Sequence, residues 1–240
     1  TFKSKAKNLE ELGNANVLSQ ATVLPVYRFS VNVFESNKAF IVSSIQQAFN
    51  SEEVIVRSSA KNEDTNDVSN AGCFESVLGV SLKSSDKIIE AIETVIGSYN
   101  CNHDENEVFV QPMLTNVHMA GVAFTCDVYS LAPYYVINYD ESGRTDAITN
   151  GSSQASKTYI QFKKSQIDCK DKNIAKLIDV LKEIEYIYSN PFIDVEFAVD
   201  SSGELYILQV RPIALKGKTI PCTDLELKLE QGIKKIYKKL

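Results

Sequence analysis

Four polar side chains late in the sequence have the types and spacing to bind a metal ion and a phosphate. They stand in two segments rich in β-branched and aromatic residues, which the turn residues Asp200–Gly203 separate. This pattern predicts a β-hairpin. Because side chains alternate faces along a strand, Asp194 and Glu196 share one face of the first arm. A loop of four residues would place Asp194 opposite Gln209, with Arg211 on the same face.

The composition of this polar face is typical of a site for a magnesium–nucleotide triphosphate. Two carboxylates and an amide oxygen are hard ligands that suit Mg²⁺, and a nearby guanidinium suits phosphate. The alternative is an ordinary antiparallel strand pair whose outer face is solvated. The hairpin taken alone favours that alternative, so the decision depends on the rest of the chain.

Five upstream segments change that balance. With the hairpin, they resemble six motifs of the nucleotide-binding domain shared by phosphoenolpyruvate synthases and pyruvate phosphate dikinases: G-K-A-A-N-L-x-E-L, V-R-S-S-A-x-x-E-D, A-G-x-x-E-T/S, V-x-V-Q-x-M, G-V-x-F-T and D-x-E…L-Q-x-R-P. Independent short matches rarely line up in the correct order over nearly a whole chain. The five segments are Lys5–Leu12, Glu53–Asp64, Asn70–Leu78, Val108–Met113 and Gly121–Thr125.

The elements that must position these motifs follow from hydrophobic spacing. An N-terminal part with helices and a strand-rich C-terminal part, separated by a polar break near residue 105, indicate an α+β fold of two lobes. The resemblance implies the same arrangement, an ATP-grasp fold with ATP between the lobes. We predict helices over 8–14, 36–50, 86–99 and 173–188, and strands over 22–30 (interrupted at Pro25), 53–58, 107–113, 118–126, 134–139 and 157–162, with a polar loop over 60–71.

Three regions are expected on this basis. Residues 1–105 would form the N-terminal lobe and residues 106–215 the C-terminal lobe. Residues 216–240 contain a capping-box pattern and an apolar stripe at helical spacing. They would form a helix or a linker toward a phosphohistidine domain.

The resemblance implies that Lys5 and Arg57 are the catalytic cations that contact the ATP phosphates. Lys3 and Lys7 lie close enough in sequence to compete with Lys5 for that role. Arg57 ends an apolar strand, which places it at the edge of a sheet facing a cleft; the alternative is a surface ion pair. Phosphoryl transfer needs such cations on the phosphates, a bridging metal and a pocket that excludes water.

The remaining site residues are also implied by the resemblance. Gly72 to Ser76 would form a loop over the triphosphate, where glycine lets the backbone approach the phosphates. Gln111 would lie at the adenine edge, since an amide both donates and accepts hydrogen bonds. Glu196 and Gln209 match magnesium and phosphate ligands, Asp194 a supporting acid of the metal site, and Arg211 a phosphate contact.

Enzymes of this family first transfer phosphate from ATP to a histidine on a mobile domain, in a T-x-S-H type of motif. His103 lies in a polar loop and His118 begins a strand, and neither has that context. We therefore expect the phosphohistidine and acceptor-binding domains to be covalently linked parts of the parent protein. The isolated domain would then be an incomplete enzyme.

The string Pro133–Asp146 resembles a subgroup associated with capsule and other surface-polysaccharide biosynthesis, which includes L-glutamine kinase. That resemblance implies pyrophosphoryl transfer from ATP to histidine with release of AMP, loss of orthophosphate, and transfer of the remaining phosphoryl group to the amide of glutamine. The alternatives are a pyruvate–water dikinase, an antibiotic phosphotransferase, or a module that binds nucleotide without transfer. The intact set of Lys5, Arg57, Glu196, Gln209 and Arg211 argues against the last of these.

Bulk composition excludes other classes. The chain has 240 residues, a net charge of −6 and 44% hydrophobic residues, which is ordinary for a globular protein. There is no basic surface to indicate nucleic acid, and no apolar run of membrane-spanning length or signal-peptide pattern. Five cysteines, an odd number without close pairing, fit reduced thiols and not a disulfide framework or a zinc site. A cytoplasmic location is expected.

Overall fold

The structure is a computed structural model that describes residues 2–15, 17–59, 64–65, 68–69, 75–99, 106–143, 156–214 and 231–232. Helices and strands alternate through the first half, and strands dominate the second. In chain order the elements are α1 (Lys5–Ala15), β1 (Thr22–Val23), β2 (Tyr27–Ser30), α2 (Val31–Ser36), α3 (Lys38–Ala48), β3 (Glu53–Ser59), β4 (Asp64–Thr65), β5 (Val68–Ser69), β6 (Ser76–Ser81), α4 (Ser85–Gly97), β7 (Glu107–Pro112), β8 (Val117–Phe124), β9 (Tyr134–Asp140), β10 (Lys157–Phe162), α5 (Lys172–Tyr188), β11 (Ile193–Asp200) and β12 (Leu205–Pro212).

Two sheets organise these elements. The large sheet has six strands in the order β1-β12-β11-β8-β9-β10, and the small sheet has four in the order β2-β7-β3-β6. A third, two-stranded sheet pairs β4 with β5. Among the strands that the structure describes, pairing is antiparallel except for β1, which runs parallel to β12. The predicted α+β class with two lobes is confirmed, and the arrangement agrees with an ATP-grasp fold.

The chain passes between the two sheets twice within the described residues. It leaves β1 of the large sheet through residues 24–26 to enter β2, and it leaves β7 of the small sheet through residues 113–116 to enter β8. Helix α1 contacts β12 and β1 of the large sheet. The sheets therefore do not follow the predicted division at residue 105, because the first helix joins the large sheet while β7 completes the small one.

Side-chain caps fix where several helices begin. Asn37 accepts a hydrogen bond from the Phe40 N–H before α3, and Asp171 accepts from two N–H groups in the first turn of α5. Such caps satisfy amides that have no partner within the helix. Helix α2 and strand β6 were not expected from the sequence, because each is short and α2 directly continues β2.

Each sheet has its own hydrophobic core, and one residue connects them. The small sheet packs against α2, α3 and α4, whereas the large sheet packs against α1 and α5. Phe109 belongs to a strand of the small sheet, yet its ring is fully buried in the core of the large sheet. The two lobes are thus joined by packing as well as by the chain.

Gly121 explains part of the G-V-x-F-T motif in structural terms. A Cβ at this position of β8 would lie 2.2 Å from the Asn138 carbonyl oxygen and 2.9 Å from the Tyr139 Cα. Strands β8 and β9 can approach this closely only because residue 121 has no side chain.

None of the helices in the described part of the chain combines the length and apolar composition needed to cross a bilayer. Cys126 is buried and Cys169 is partly buried, and neither forms a disulfide within the described part of the chain. His118 lies exposed on β8. His103 and almost all of the predicted C-terminal helix lie outside the described residues.

Candidate functional site

The hairpin of β11 and β12 carries the four polar residues on one face, but in a register that differs from the prediction. Asp194 pairs with Arg211, and Glu196 pairs with Gln209, so the expected Asp194–Gln209 pair is wrong. The turn closes through a bond from the Asp200 N–H to the Glu204 carbonyl. A β-bulge then leaves Leu208 without a partner in β11, which changes the register by one residue.

Arg57 extends from β3 of the small sheet to this hairpin of the large sheet. Its Nη1 donates to the Leu208 carbonyl oxygen at 2.9 Å. Its Nη2 donates to Glu196 Oε2 at 3.0 Å and to Gln209 Oε1 at 3.3 Å. The guanidinium carbon lies 5.7 Å from the centroid of the Phe109 ring, within cation–π range. The predicted phosphate cation is therefore in direct contact with two of the three residues predicted for the metal site, Glu196 and Gln209.

Asp194 and Arg211 form the neighbouring pair on the hairpin. Arg211 Nε donates to Asp194 Oδ2 at 2.6 Å, and the side chains are 15% and 9% exposed. A pair this short and this buried holds both side chains in place. Asp194 therefore orients Arg211 on the hairpin, and its part in a metal site stays a prediction.

The structure separates Lys5 from its two neighbouring lysines. Lys5 is buried at the start of α1, whereas Lys3 and Lys7 are exposed and Lys3 is paired with Glu11. In the same turn, the Ala6 N–H donates to Ser59 Oγ at 3.2 Å, two residues beyond Arg57 on β3. Of the three lysines, Lys5 is thus the one whose side chain is buried in the turn that contacts β3.

Ser76 and Gln111, two further predicted site residues, lie on strands of the small sheet that pair with β3, the strand of Arg57. Ser76 begins β6 in register with Arg57, so the two side chains share a face. Gln111 is 2% exposed, and its Nε2 donates to the Leu24 carbonyl oxygen at 3.1 Å. That bond holds Gln111 at the first passage of the chain between the sheets. Gly72 lies outside the described residues.

The donor set at Glu196 and Gln209 fits a hard cation. A carboxylate oxygen and an amide oxygen stand on directly opposite residues of the hairpin, and both already accept hydrogen bonds from the positively charged Arg57. Gln209 is 3% exposed, and its buried Nε2 has no hydrogen-bond partner among the described residues. Within those same ranges no cluster of three or more His, Cys, Asp and Glu could bind a metal. Magnesium typically takes one or two carboxylates and completes its shell with substrate phosphates and water.

A second arginine cluster on the same face was not predicted. Arg28 of β2 donates to Glu10 of α1 at 2.8 Å and to Glu107 of β7 at 2.7 Å. The hydrogen bond to Glu10, reinforced by Glu107, raises the pKa of Arg28. In register, Arg28 lies opposite Phe109, which lies opposite Arg57. The face of the small sheet toward the large sheet therefore carries two arginines separated by one buried ring.

The Leu208 carbonyl and Phe109 were also missed by the sequence. The sequence does contain a signal for the bulge that presents the Leu208 carbonyl. The two consecutive apolar residues Ile207 and Leu208 interrupt the alternation of apolar and polar side chains just before Gln209. No comparable signal marks Phe109, since a buried aromatic in a strand does not indicate which core it enters.

Comparison with solved structures gives distant similarity. The chain is similar to the D-alanine–D-alanine ligase from Helicobacter pylori, with 15% identity, a TM-score of 0.45, and coverage of 86% of this chain and 50% of that one. The D-Ala:D-Ser ligase from Enterococcus faecalis has 15% identity and a TM-score of 0.45, with coverage of 90% of this chain and 54% of that one. D-alanyl-alanine synthetase A from Vibrio cholerae has 12% identity and a TM-score of 0.48, with coverage of 88% of this chain and 56% of that one. The chain spans about half the length of these structures.

Comparison with curated proteins gives no match. The family described as pyruvate phosphate dikinase, AMP/ATP-binding domain, matches residues 29–153 and 141–228, which together cover most of the chain. These segments contain Arg57 and the whole polar face of the hairpin. The chain therefore belongs to the family of pyruvate phosphate dikinase AMP/ATP-binding domains.

Proposed function

We propose that this domain binds Mg·ATP between the small and large sheets and serves a dikinase-type phosphotransferase that forms AMP. The observation that carries the proposal is the meeting of Arg57 with Glu196 and Gln209. These residues come from different sheets and from motifs more than a hundred positions apart. Packing alone does not require a partly buried cation and two oxygen ligands at this place.

Arg57 has a clear role in such a reaction. Its contacts comprise one carboxylate, one amide oxygen and one backbone carbonyl. When Mg·ATP binds, the triphosphate would take the place of these oxygens at Arg57. The magnesium ion would then pair with Glu196, the one carboxylate that Arg57 releases. Arg57 would then turn to the phosphates, with Lys5 and Arg211 as further cations. Glu196 and Gln209 would hold magnesium, which would neutralise the phosphate charge.

The later steps extend beyond this chain. In the proposed sequence, a histidine on a linked domain accepts the pyrophosphoryl group and AMP leaves. Water then releases orthophosphate, and the remaining phosphoryl group passes to an acceptor. L-Glutamine is the first acceptor to test, on the strength of the Pro133–Asp146 string, and pyruvate is the second.

Calorimetry with Mg·ATP tests the binding step. We expect saturable binding by the 240-residue chain, and a loss of its magnesium-dependent part in Glu196→Ala and Gln209→Ala. Asp179→Asn is the matched control, because Asp179 is an exposed acid on α5 that pairs only with Lys182 among the contacts described. Absence of saturable binding at millimolar ATP, or equal effects of Asp179→Asn and Glu196→Ala, would refute the site.

Phosphorus NMR tests the reaction type. The chain alone should give no turnover with either acceptor, whereas a parent protein with a phosphohistidine domain should give AMP and orthophosphate when the right acceptor is present. Formation of ADP and a phosphorylated acceptor by the chain alone would establish a direct kinase and overturn the dikinase proposal.

A further inference from the structure

Asn8 is a buried polar residue that the proposed function does not use. It lies in the first turns of α1, three residues after Lys5, and is 1% exposed. A buried amide in a helix is costly unless its donors and acceptor are satisfied. Its hydrogen bonds therefore indicate what the residue does for the fold.

The Asn8 amide pairs with the backbone on both of its sides. Its Oδ1 accepts from the Lys3 N–H at 2.9 Å, and its Nδ2 donates to the Lys3 carbonyl oxygen at 3.2 Å. The Nδ2 also donates to the Val210 carbonyl oxygen at 3.3 Å. This set of partners fixes the orientation of the amide, because only the nitrogen can donate to the two carbonyls.

The two residues whose backbone groups Asn8 joins both lie within two positions of site residues. The Lys3 peptide stands two residues before Lys5, and Val210 lies between Gln209 and Arg211 on β12. A second bond, from the Ala6 N–H to Ser59 Oγ, connects the same turn to the end of β3. The turn that carries Lys5 is thus held to the strand of Gln209 by Asn8 and to the strand of Arg57 by Ser59.

We propose that Asn8 is a positioning residue for Lys5, which fixes the distance of its ammonium group from the hairpin ligands. The inference rests on the proposed function, because Lys5 must contact the ATP phosphates for its position to matter. The inference adds to the proposed function a reason for the asparagine three residues after Lys5. A small displacement of a charged group is enough to weaken its contact with phosphate.

A double-mutant cycle read by calorimetry tests the inference. The quantity is the ratio of affinities for Mg·ATP and adenosine, which reports phosphate contacts. We expect Lys5→Ala to lower the ratio about tenfold or more, as loss of a charged hydrogen bond does. Asn8→Ala should lower it nearly as much, and should change it less than about twofold in the Lys5→Ala background, because two residues acting through one contact are not additive.

Tyr135→Phe is the matched control. Tyr135 is also buried in the core of the large sheet, and its hydroxyl donates to Glu185 of α5 at 2.8 Å. Losing that bond should lower thermal stability and leave the affinity ratio unchanged. Should Asn8→Ala not fold, Asn8→Leu replaces it, because leucine is close to asparagine in shape, makes none of these hydrogen bonds and adds no charge near Lys5.

The outcomes separate the two proposals. If Lys5→Ala leaves the ratio unchanged, Lys5 is not a phosphate contact and that part of the proposed function is wrong. If Lys5→Ala lowers the ratio but the Asn8 variants lower only stability, or act additively with Lys5→Ala, then Asn8 is a structural residue and this inference alone is overturned.

Discussion

Arg57 and Arg28 lie on the same face of the small sheet, on either side of Phe109, and both contact groups of the large lobe. Arg28 is held by two carboxylates, Glu10 and Glu107. Arg57 is held by one carboxylate and two neutral oxygens. Two carboxylates of the protein therefore balance the charge of Arg28. Arg57 contacts one carboxylate, so an anionic ligand would add a second negative group beside its guanidinium.

Phe109→Ala should have the largest effect, because it removes the ring between the two arginines. The residue is fully buried in the core of the other lobe, and truncating a buried phenylalanine typically costs about 3–5 kcal/mol. Urea denaturation measures the loss. We expect both arginine clusters to be weakened together; an effect below 1 kcal/mol would mean that the ring does not hold the lobes together.

Arg57→Ala should lower affinity for Mg·ATP by about 1.5–3 kcal/mol, the cost of a lost charge-assisted contact. Affinity for adenosine should change little, since adenosine has no phosphate. Isothermal calorimetry with both ligands measures the ratio. Arg28→Ala is the matched variant, and the comparison fails if the two variants change the ratio equally.

Arg28→Ala should act on stability and not on nucleotide binding. Its ion pairs are partly exposed to solvent, which screens them, so a loss of about 1 kcal/mol in the free energy of unfolding is expected. Added Mg·ATP should still raise the melting temperature of this variant as it does for the wild type. A variant that folds but shows no such rise would give Arg28 a part in binding.

Asp200→Asn should have the smallest effect on the free energy of unfolding. Asp200 lies in the turn of the hairpin that supplies all three oxygens that Arg57 contacts, so the change should affect the Arg57 contacts and not those of Arg28. Hydrogen bonds from Ser202 and from the Glu204 N–H lower the pKa of Asp200. A lowered folded-state pKa gives stability that is present above the ordinary value and lost as the pH falls through the folded value.

The stability difference between wild type and Asp200→Asn should therefore shrink as the pH falls below about 4. Urea denaturation at pH 7 and in acid measures it. A difference that is constant over this range would show that the carboxylate charge does not hold the turn.

The sequence predicted more of the element types than of their contacts. The strand before Arg57 and the two arms of the hairpin follow from β-branched residues in alternation, and the structure has them close to the predicted bounds. The pairing of Asp194 with Arg211 does not follow, because the register depends on how the turn closes and on a bulge. Side-chain type does not determine either one.

Contacts between lobes were the least predictable part. Arg57 binds the Leu208 carbonyl, a backbone group that any residue carries, and Arg28 is satisfied by residues from α1 and β7. Such partners are brought together by the order of strands in the sheets, which local patterns do not encode. The family motifs nevertheless indicated Arg57, Glu196 and Gln209, because these side chains are distinctive at their positions.

The two neighbouring passages of the chain between the sheets restrict how the lobes can move. Residues 24–26 and 113–116 connect the same two bodies, and the bond from Gln111 Nε2 to the Leu24 oxygen couples the start of one connection to the strand that precedes the other. A single connection would leave rotation free in every direction, but two leave one soft degree of freedom, a swing about the line through both. Opening about that line would separate Arg57 from all three of its oxygens. It would also have to withdraw the Phe109 ring from the core of the large sheet, so the proposed entry of a nucleotide between the lobes would be coupled to release of that ring.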